Sequence, residues 1–314
     1  MKILYYPDES CCMGNYAATV GVFDGVHLGH RYLLARLKDE AGKQELQSMV
    51  ITFERLPRQT VQLGWQPELI TTLSEKLRLL SEIGIDTTVV LRFDRQMAAL
   101  SARDFMGNVL YRQLGVRLLL TGYDNRFGHD RTEGGEAYRL YGSEIGIRVL
   151  CGDPLTVGTA YASSSRIRQL LKDGRVEEAR QCLGRSYMLH GRVVHGEQIG
   201  RKIGFPTANI EPDDNCKIIP KDGVYVVTAQ MGDLPMMRGV MNIGIRPTFN
   251  GDRRTIEVNI FDEMGDFYGK DISIQFIGRL RDEQQFPSAE ALAEQIGKDK
   301  MEAEKRLKIY EQEP

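Results

Sequence analysis

Cysteine is scarce in this chain and badly placed for cross-linking. The 314 residues hold five, Cys11, Cys12, Cys151, Cys182 and Cys216, an odd number with no Cys-x-x-Cys pair. That argues against a disulfide framework or a zinc site and fits a reducing compartment. No apolar run approaches the roughly 20 residues a bilayer-crossing helix needs. The N-terminus has neither the basic region nor the long apolar core of a signal peptide. A cytoplasmic protein without a membrane partner is therefore expected. An excess of one charge is missing too. Lys and Arg number 41 against 43 Asp and Glu, a net charge of −2, so nothing points to a nucleic-acid partner. Internal repeats and low-complexity segments are absent, and so is the Gly-x-Gly-x-x-Gly fingerprint of a dinucleotide fold.

What is present reads as a globular protein, 42% hydrophobic and 27% charged, long enough for two domains of ordinary size. Up to about residue 184, short apolar runs alternate with helical patterns. Strands are expected at Met49–Phe53, Thr87–Phe93, Val116–Thr121 and Ile147–Leu150, after an apolar run from Ala17 to Phe23. Helices are expected at Leu28–Ala41, Leu73–Ile83, Ala102–Leu114 and Glu136–Ile145. Such alternation predicts an α/β domain with an open parallel sheet and ligands at the carboxyl ends of its strands. Gly174–Gly184 reads as a short helical connector. Beyond it, strand-like runs dominate at Tyr187–Val194, Val224–Gln230, Met237–Ile243, Thr255–Phe261 and Ile272–Ile277, separated by Gly, Pro, Asn and Asp. Their spacing predicts a small antiparallel β-barrel, closed by a helix from Ser288 to Tyr310. The expected domains are 1–184 and 185–314.

The first half carries Gly21-Val22-Phe23-Asp24-Gly25-Val26-His27-Leu28-Gly29-His30, which reads as strand, tight turn and helix start. Free N–H groups and the positive dipole end at such a start favour an anion. His27 and His30, three residues apart, share a helix face. Taken alone, the pair also fits a metal site short of ligands or ordinary helix-start residues. Ser163-Ser164-Ser165-Arg166-Ile167-Arg168 opens a second helix. Its serines are plausible caps, and with its arginines it makes a polyphosphate clamp, because the guanidinium fork matches phosphate oxygens.

The second half has its own candidate site. Gly191 to Asn209 contains a glycine-rich loop, with Lys202 in it, whose glycines, Gly200 and Gly204 among them, let backbone N–H groups approach a phosphate chain, a pattern that a hairpin loop with Pro206 ending a strand shares. Thr207 and Asn209 alternate on an extended segment, and their oxygens suit Mg²⁺. Transfer to a hydroxyl also needs a base, and Glu257 is the candidate. It alternates with apolar Ile256 and Val258, a pattern that a merely solvated carboxylate shares. Asn242 to Phe249 reads as a turn that brings backbone against a ligand.

Together these motifs resemble the bacterial bifunctional riboflavin kinase/FMN adenylyltransferase (FAD synthetase) family, over nearly the whole chain and in the family's order. The resemblance implies a nucleotidylyltransferase domain of Rossmann-like α/β fold, then a riboflavin kinase barrel with a C-terminal helix. It implies ATP binding by Gly21, Phe23, Asp24, Gly25, His27 and His30, with charge at the α-phosphate stabilised by the two histidines. Ser164, Ser165 and Arg168 would take the pyrophosphate. Asp124, Asn125, Arg126, Asn242 and Arg281 would contact flavin, Thr207 and Asn209 would hold Mg²⁺, and Glu257 would act as base. Riboflavin, FMN and ATP are the implied small-molecule substrates and FAD the final product; self-association is left open. Where the family usually has Phe-Glu-Pro-His-Pro, this chain has Phe53-Glu54-Arg55-Leu56-Pro57. That change motivates the alternative of a kinase carrying an inactive or regulatory first domain.

Overall fold

The computed structural model describes residues 1–8, 14–62, 64–123, 125–129, 132–153, 155–157, 160–196, 204–248, 251–261 and 267–312. Asp124, Gly200 and Lys202 lie outside them. The described chain divides into two compact units, Met1–Ser164 and Ser165–Pro314.

The first unit is an α/β layer structure. Its elements are β1 (Lys2–Tyr6), β2 (Tyr16–Val20), α1 (Leu28–Lys43), β3 (Gln47–Phe53), α2 (Pro57–Val61), α3 (Leu73–Ile83), β4 (Thr87–Leu91) and α4 (Arg95–Ala98). There follow α5 (Ala102–Asp104), which continues as a π-helix over Phe105–Gln113, β5 (Val116–Thr121), α6 (Gly135–Ile145) and β6 (Arg148–Cys151). A short ribbon of β7 (Thr156–Val157) and β8 (Ala160–Tyr161) ends the unit. Six parallel strands run in the order β1-β4-β3-β2-β5-β6. Alternate residues of each central strand face opposite helical layers. Ala17, Val50, Leu118 and Leu120 pack with Leu34, Leu37, Leu79 and Leu80 of α1 and α3. Ala18, Met49, Ile51 and Leu119 pack on the other face with Phe105, Met106, Val109, Leu110 and Tyr138. The helix expected over Ala102–Leu114 is mostly π-helical, and nothing in the structure explains the wider winding. Strand β1 escaped the pattern reading because it is an edge strand whose residues alternate weakly in burial.

The second unit begins with α7 (Ser164–Lys172) and α8 (Val176–Leu183). Its barrel strands are β9 (Tyr187–Val194), β10 (Ala208–Pro212), β11 (Gly223–Gln230), β12 (Met237–Thr248), β13 (Gly251–Ile260) and β14 (Asp271–Arg281). They close in the order β10-β13-β12-β11-β14-β9, all antiparallel. Helix α9 (Ala289–Tyr310) starts at Ser288, whose hydroxyl caps Ala291 N, and lays Ala303 and Leu307 on Val224, Val226 and Val240. Glu177 on α8 accepts from Arg279 N at 2.9 Å, and Leu171 O on α7 accepts from Lys221 N at 3.0 Å. These bonds place residues 165–184 with the barrel, although the change of sequence pattern comes near 184. No helix of the described residues is long and apolar enough to cross a membrane.

Candidate active sites

In the first unit, the turn between β2 and α1 is backbone under strain. Phe23 (φ 51°) and Val26 (φ 39°) occupy the left-handed region beside Gly25 (φ 85°), and a β-branched residue there costs on the order of 1–2 kcal/mol. Neighbouring groups hold the turn in place. The Asp24 carboxylate, 4% exposed, accepts from Ile70 N at 3.1 Å and from Thr71 N at 2.9 Å. Thr71 Oγ1 accepts from Gly25 N at 2.9 Å, and Ser164 Oγ donates to Asp24 O at 2.9 Å. Asp24, expected among the ATP ligands, thus has its carboxylate committed to the Ile70–Thr71 backbone. It shapes the turn.

The same turn ends in the two histidines. His27 is the N-cap of α1, and its Nδ1 accepts from His30 N at 3.3 Å. That bond assigns the neutral tautomer with the proton on Nε2. The rings of His27 and His30 stack at 3.6 Å, and Phe23 meets His30 edge-on at 5.2 Å. A Cβ on Gly29 would lie 3.2 Å from the His27 ring and 3.1 Å from Ala162 O. Glycine at this position therefore lets the imidazole lie against the helix start. The shared face expected from the three-residue spacing is present. Asn125, on the loop after β5, donates from Nδ2 to Val20 O at the end of β2. Arg126 is exposed. Arg55 is exposed, and Leu56 caps α2 through its backbone N, which donates to Gln59 Oε1 at 2.9 Å. Ser165 is exposed and Arg168 half-buried on α7.

In the barrel, strand register assembles the second site. Asn209 on β10 and Asn242 on β12 both stand opposite Glu257 on β13. Directly opposed residues of antiparallel strands project to the same side, so the three form one row. Thr207 Oγ1, just before β10, donates to Glu257 Oε2 at 3.2 Å. Glu257 is 7% exposed, not the solvated carboxylate that alternation alone also allows. Asn259 Nδ2 donates to Pro206 O at 2.7 Å and fixes the corner before Thr207. A Cβ on Gly196 would fall 2.0 Å from Asn209 Nδ2, so glycine makes room for the amide. Gly204 (φ 84°) and Pro206, on the segment that leads into Thr207, are exposed. A hydroxyl, a carboxamide and a carboxylate side by side are hard oxygen donors of the kind Mg²⁺ takes.

Arg281 has a different place from the one expected. Its Nη2 lies 2.7 Å from Asp299 Oδ2, its Nε donates to both Asp299 oxygens at 3.1 Å, and its Nη1 donates to Asp282 O at 3.0 Å. The guanidinium is spent on α9 and on its own loop. Two contributors were missed from sequence. The Ile70–Thr71 backbone holds Asp24 by contacts spanning up to 47 residues, and Lys76 sits buried on α3. Neither leaves a local signal, because both act through tertiary contact.

Comparison with known proteins decides the family. The riboflavin kinase family model matches residues 183–307, and the FAD synthetase model matches residues 11–166. The chain is 39% identical over 298 residues to the bifunctional riboflavin kinase/FMN adenylyltransferase of Escherichia coli, covering 95% of this chain and 93% of that protein. This chain belongs to the bifunctional riboflavin kinase/FMN adenylyltransferase family. The family's Pseudomonas fluorescens member is 35% identical over 294 residues, covering 93% of this chain and 92% of its own. A crystal structure described as a macrolide-efflux protein from Streptococcus pneumoniae superposes with a TM-score of 0.88 at 31% identity, covering 96% of this chain and 98% of that one. The parallel sheet, the six-stranded barrel and the C-terminal helix thus agree with the architecture expected from the motifs.

Proposed function

We propose that this chain makes FMN and then FAD, with riboflavin phosphorylated at the barrel row and FMN adenylylated at the histidine turn. The observation that carries this reading is the gathering of Asn209, Asn242 and Glu257 on adjacent strands of one unit, with Thr207 bonded to Glu257, while the stacked histidines occupy the other. In the kinase reaction, Glu257 takes the proton of the riboflavin 5′-hydroxyl as its oxygen bonds to the γ-phosphorus of ATP, and the bond to ADP breaks. Thr207 and Asn209 would hold Mg²⁺, which neutralises phosphate charge when bound. Gly204 and Pro206 serve the ATP side, and Asn242 contacts flavin.

In the adenylyl reaction, an FMN phosphate oxygen bonds to the α-phosphorus of ATP and pyrophosphate leaves. His27 Nε2–H and His30 stabilise the charge that develops there, and the N–H groups of Leu28 and Gly29 at the start of α1 receive phosphate oxygens. Ser164 takes the pyrophosphate, and Asn125 and Arg126 serve the flavin side. Leu56 brings no ionisable group to the loop after β3, so these residues carry the phosphate charge without one from that position.

The test is product chromatography on purified protein supplied with riboflavin, ATP and Mg²⁺. Glu257→Gln is expected to lower FMN formation by about 10²–10⁴-fold while leaving FAD synthesis from supplied FMN intact. His30→Ala is expected to do the reverse. Loss of both activities from either well-folded variant refutes the two-site reading, and wild-type protein that stops at FMN establishes the kinase-only alternative.

A further inference from the structure

Lys76 on α3 is 6% exposed, an uncommon burial for a lysine in no ion pair with a neighbouring carboxylate among the described contacts. Its Nζ donates to Thr52 Oγ1 at 2.9 Å, to Val22 O at 3.1 Å and to Phe53 O at 3.4 Å. Thr52 Oγ1 donates in turn to Val22 O at 3.1 Å. The ammonium therefore lies where β2 and β3 end, gathering carbonyl oxygens at the sheet edge where α/β folds bind ligands. Val22 immediately precedes Phe23, the first strained residue of the turn that ends in His27. The nearest carboxylate influence is Asp24, whose oxygens are already taken by Ile70 and Thr71. The hydrogen bonds of Lys76 are thus all to neutral oxygens, and Asp24 acts on its charge only through space.

We propose that Lys76 is a positioning residue of the adenylyl site: it holds the Val22–His27 turn through Val22 O and sets beneath it a buried positive charge that favours polyphosphate. This rests on the assignment of adenylyl transfer to the His27 turn. The cost of the arrangement is visible in its titration. Burial pushes the Lys76 ammonium down to about 8, against a smaller upward pull from Asp24. The geometry offsets that desolvation with three hydrogen bonds, one of them to the carbonyl that leads into the strained turn.

The experiment uses the full chain, with the thermal unfolding of each variant against wild type as the control for an intact first unit. Inhibition of FMN adenylylation is measured with two probes, pyrophosphate and adenosine. Lys76→Gln keeps hydrogen-bond donors but not the charge. It is expected to weaken inhibition by pyrophosphate about tenfold, the order of effect of one charge at a partly buried site. Inhibition by adenosine is expected to stay within twofold. Unchanged pyrophosphate inhibition overturns the proposal, and so does equal weakening of both probes, which marks a purely structural role. If Lys76→Gln fails to fold, Thr52→Val, which removes the closest partner and keeps the ammonium, is expected to lower kcat with KM for FMN unchanged; an unchanged kcat overturns the positioning claim. His30→Ala, run beside them, separates the two failures. If it leaves adenylylation intact, the site assignment itself falls; if it abolishes adenylylation while Lys76→Gln does nothing, only the role of Lys76 falls.

Discussion

Gly196 and Gly29 show how a missing side chain can be the functional feature of a residue. Each is occupied from outside, Gly196 by the Asn209 amide and Gly29 by the His27 imidazole. Gly196→Ala would bring a methyl group 2.0 Å from Asn209 Nδ2, forcing that side chain from the row it forms with Glu257. The expected outcome is at least a tenfold loss of riboflavin phosphorylation (about 1.4 kcal/mol in the transition state), with adenylylation of supplied FMN unchanged, read by the two rates on one preparation. Asp24 and Arg281 give the opposite lesson. Both have the chemistry of ligands, yet one is bonded to backbone N–H groups of Ile70 and Thr71 and the other to Asp299. Residue type and motif position identified them; only the partners tell what the charges are doing.

At the scale of elements, helices and strands were readable wherever one face is buried. Leu73–Ile83 and Val116–Thr121 have the bounds that their patterns predict, the helix starting at the Thr72–Glu75 capping box. Tyr187–Val194 does too. Strand β10 was readable only as an extended segment, since Ala208–Pro212 is too short and too polar to announce itself. The ion pair that ties α9 to β14 was not readable at all, because Asp299 looks like one acid on a charged helix. It is 7% exposed at the side chain, its partner Arg281 18%, and Gln295 Nε2 adds a bond at 2.9 Å. Breaking a buried pair leaves an uncompensated charge, which costs about 3–5 kcal/mol. Asp299→Ala is therefore expected to destabilise the barrel unit by that amount, measured as a lower denaturant midpoint in a transition monitored at the barrel. A change below 0.5 kcal/mol is the value typical of an exposed pair and contradicts the buried geometry.

At the scale of the whole molecule, the strained histidine turn lies in one compact unit, Met1–Ser164, and the Glu257 row in the other, Ser165–Pro314. Two chemistries that share no residue can be supplied by two different molecules. A mixture of the Glu257→Gln and His30→Ala proteins is therefore expected to convert riboflavin to FAD through released FMN, with a lag that neither variant alone overcomes. Time courses of flavin products check this. Absence of FAD from the mixture, when each protein keeps its remaining activity, means that FMN does not pass between molecules.

Some of this was determined by the sequence alone. Periodicity decided the class of each half, because burial of one face or both leaves a pattern of period two or 3.6 wherever it occurs. The local motifs decided where the tight turns and helix starts lie, because those are made by neighbours in the chain. Tertiary structure decided everything that depends on distance along the chain. It brought Thr207 and Asn209 to Glu257, turned Asp24 toward residues 70 and 71, and paired Arg281 with Asp299. It also buried Lys76 under Val22, 54 residues away. The physical reason is that a charge or hydrogen bond acts through the atoms a few ångströms from it. Which atoms those are is fixed by strand register and layer packing, and neither leaves a mark in the residues themselves.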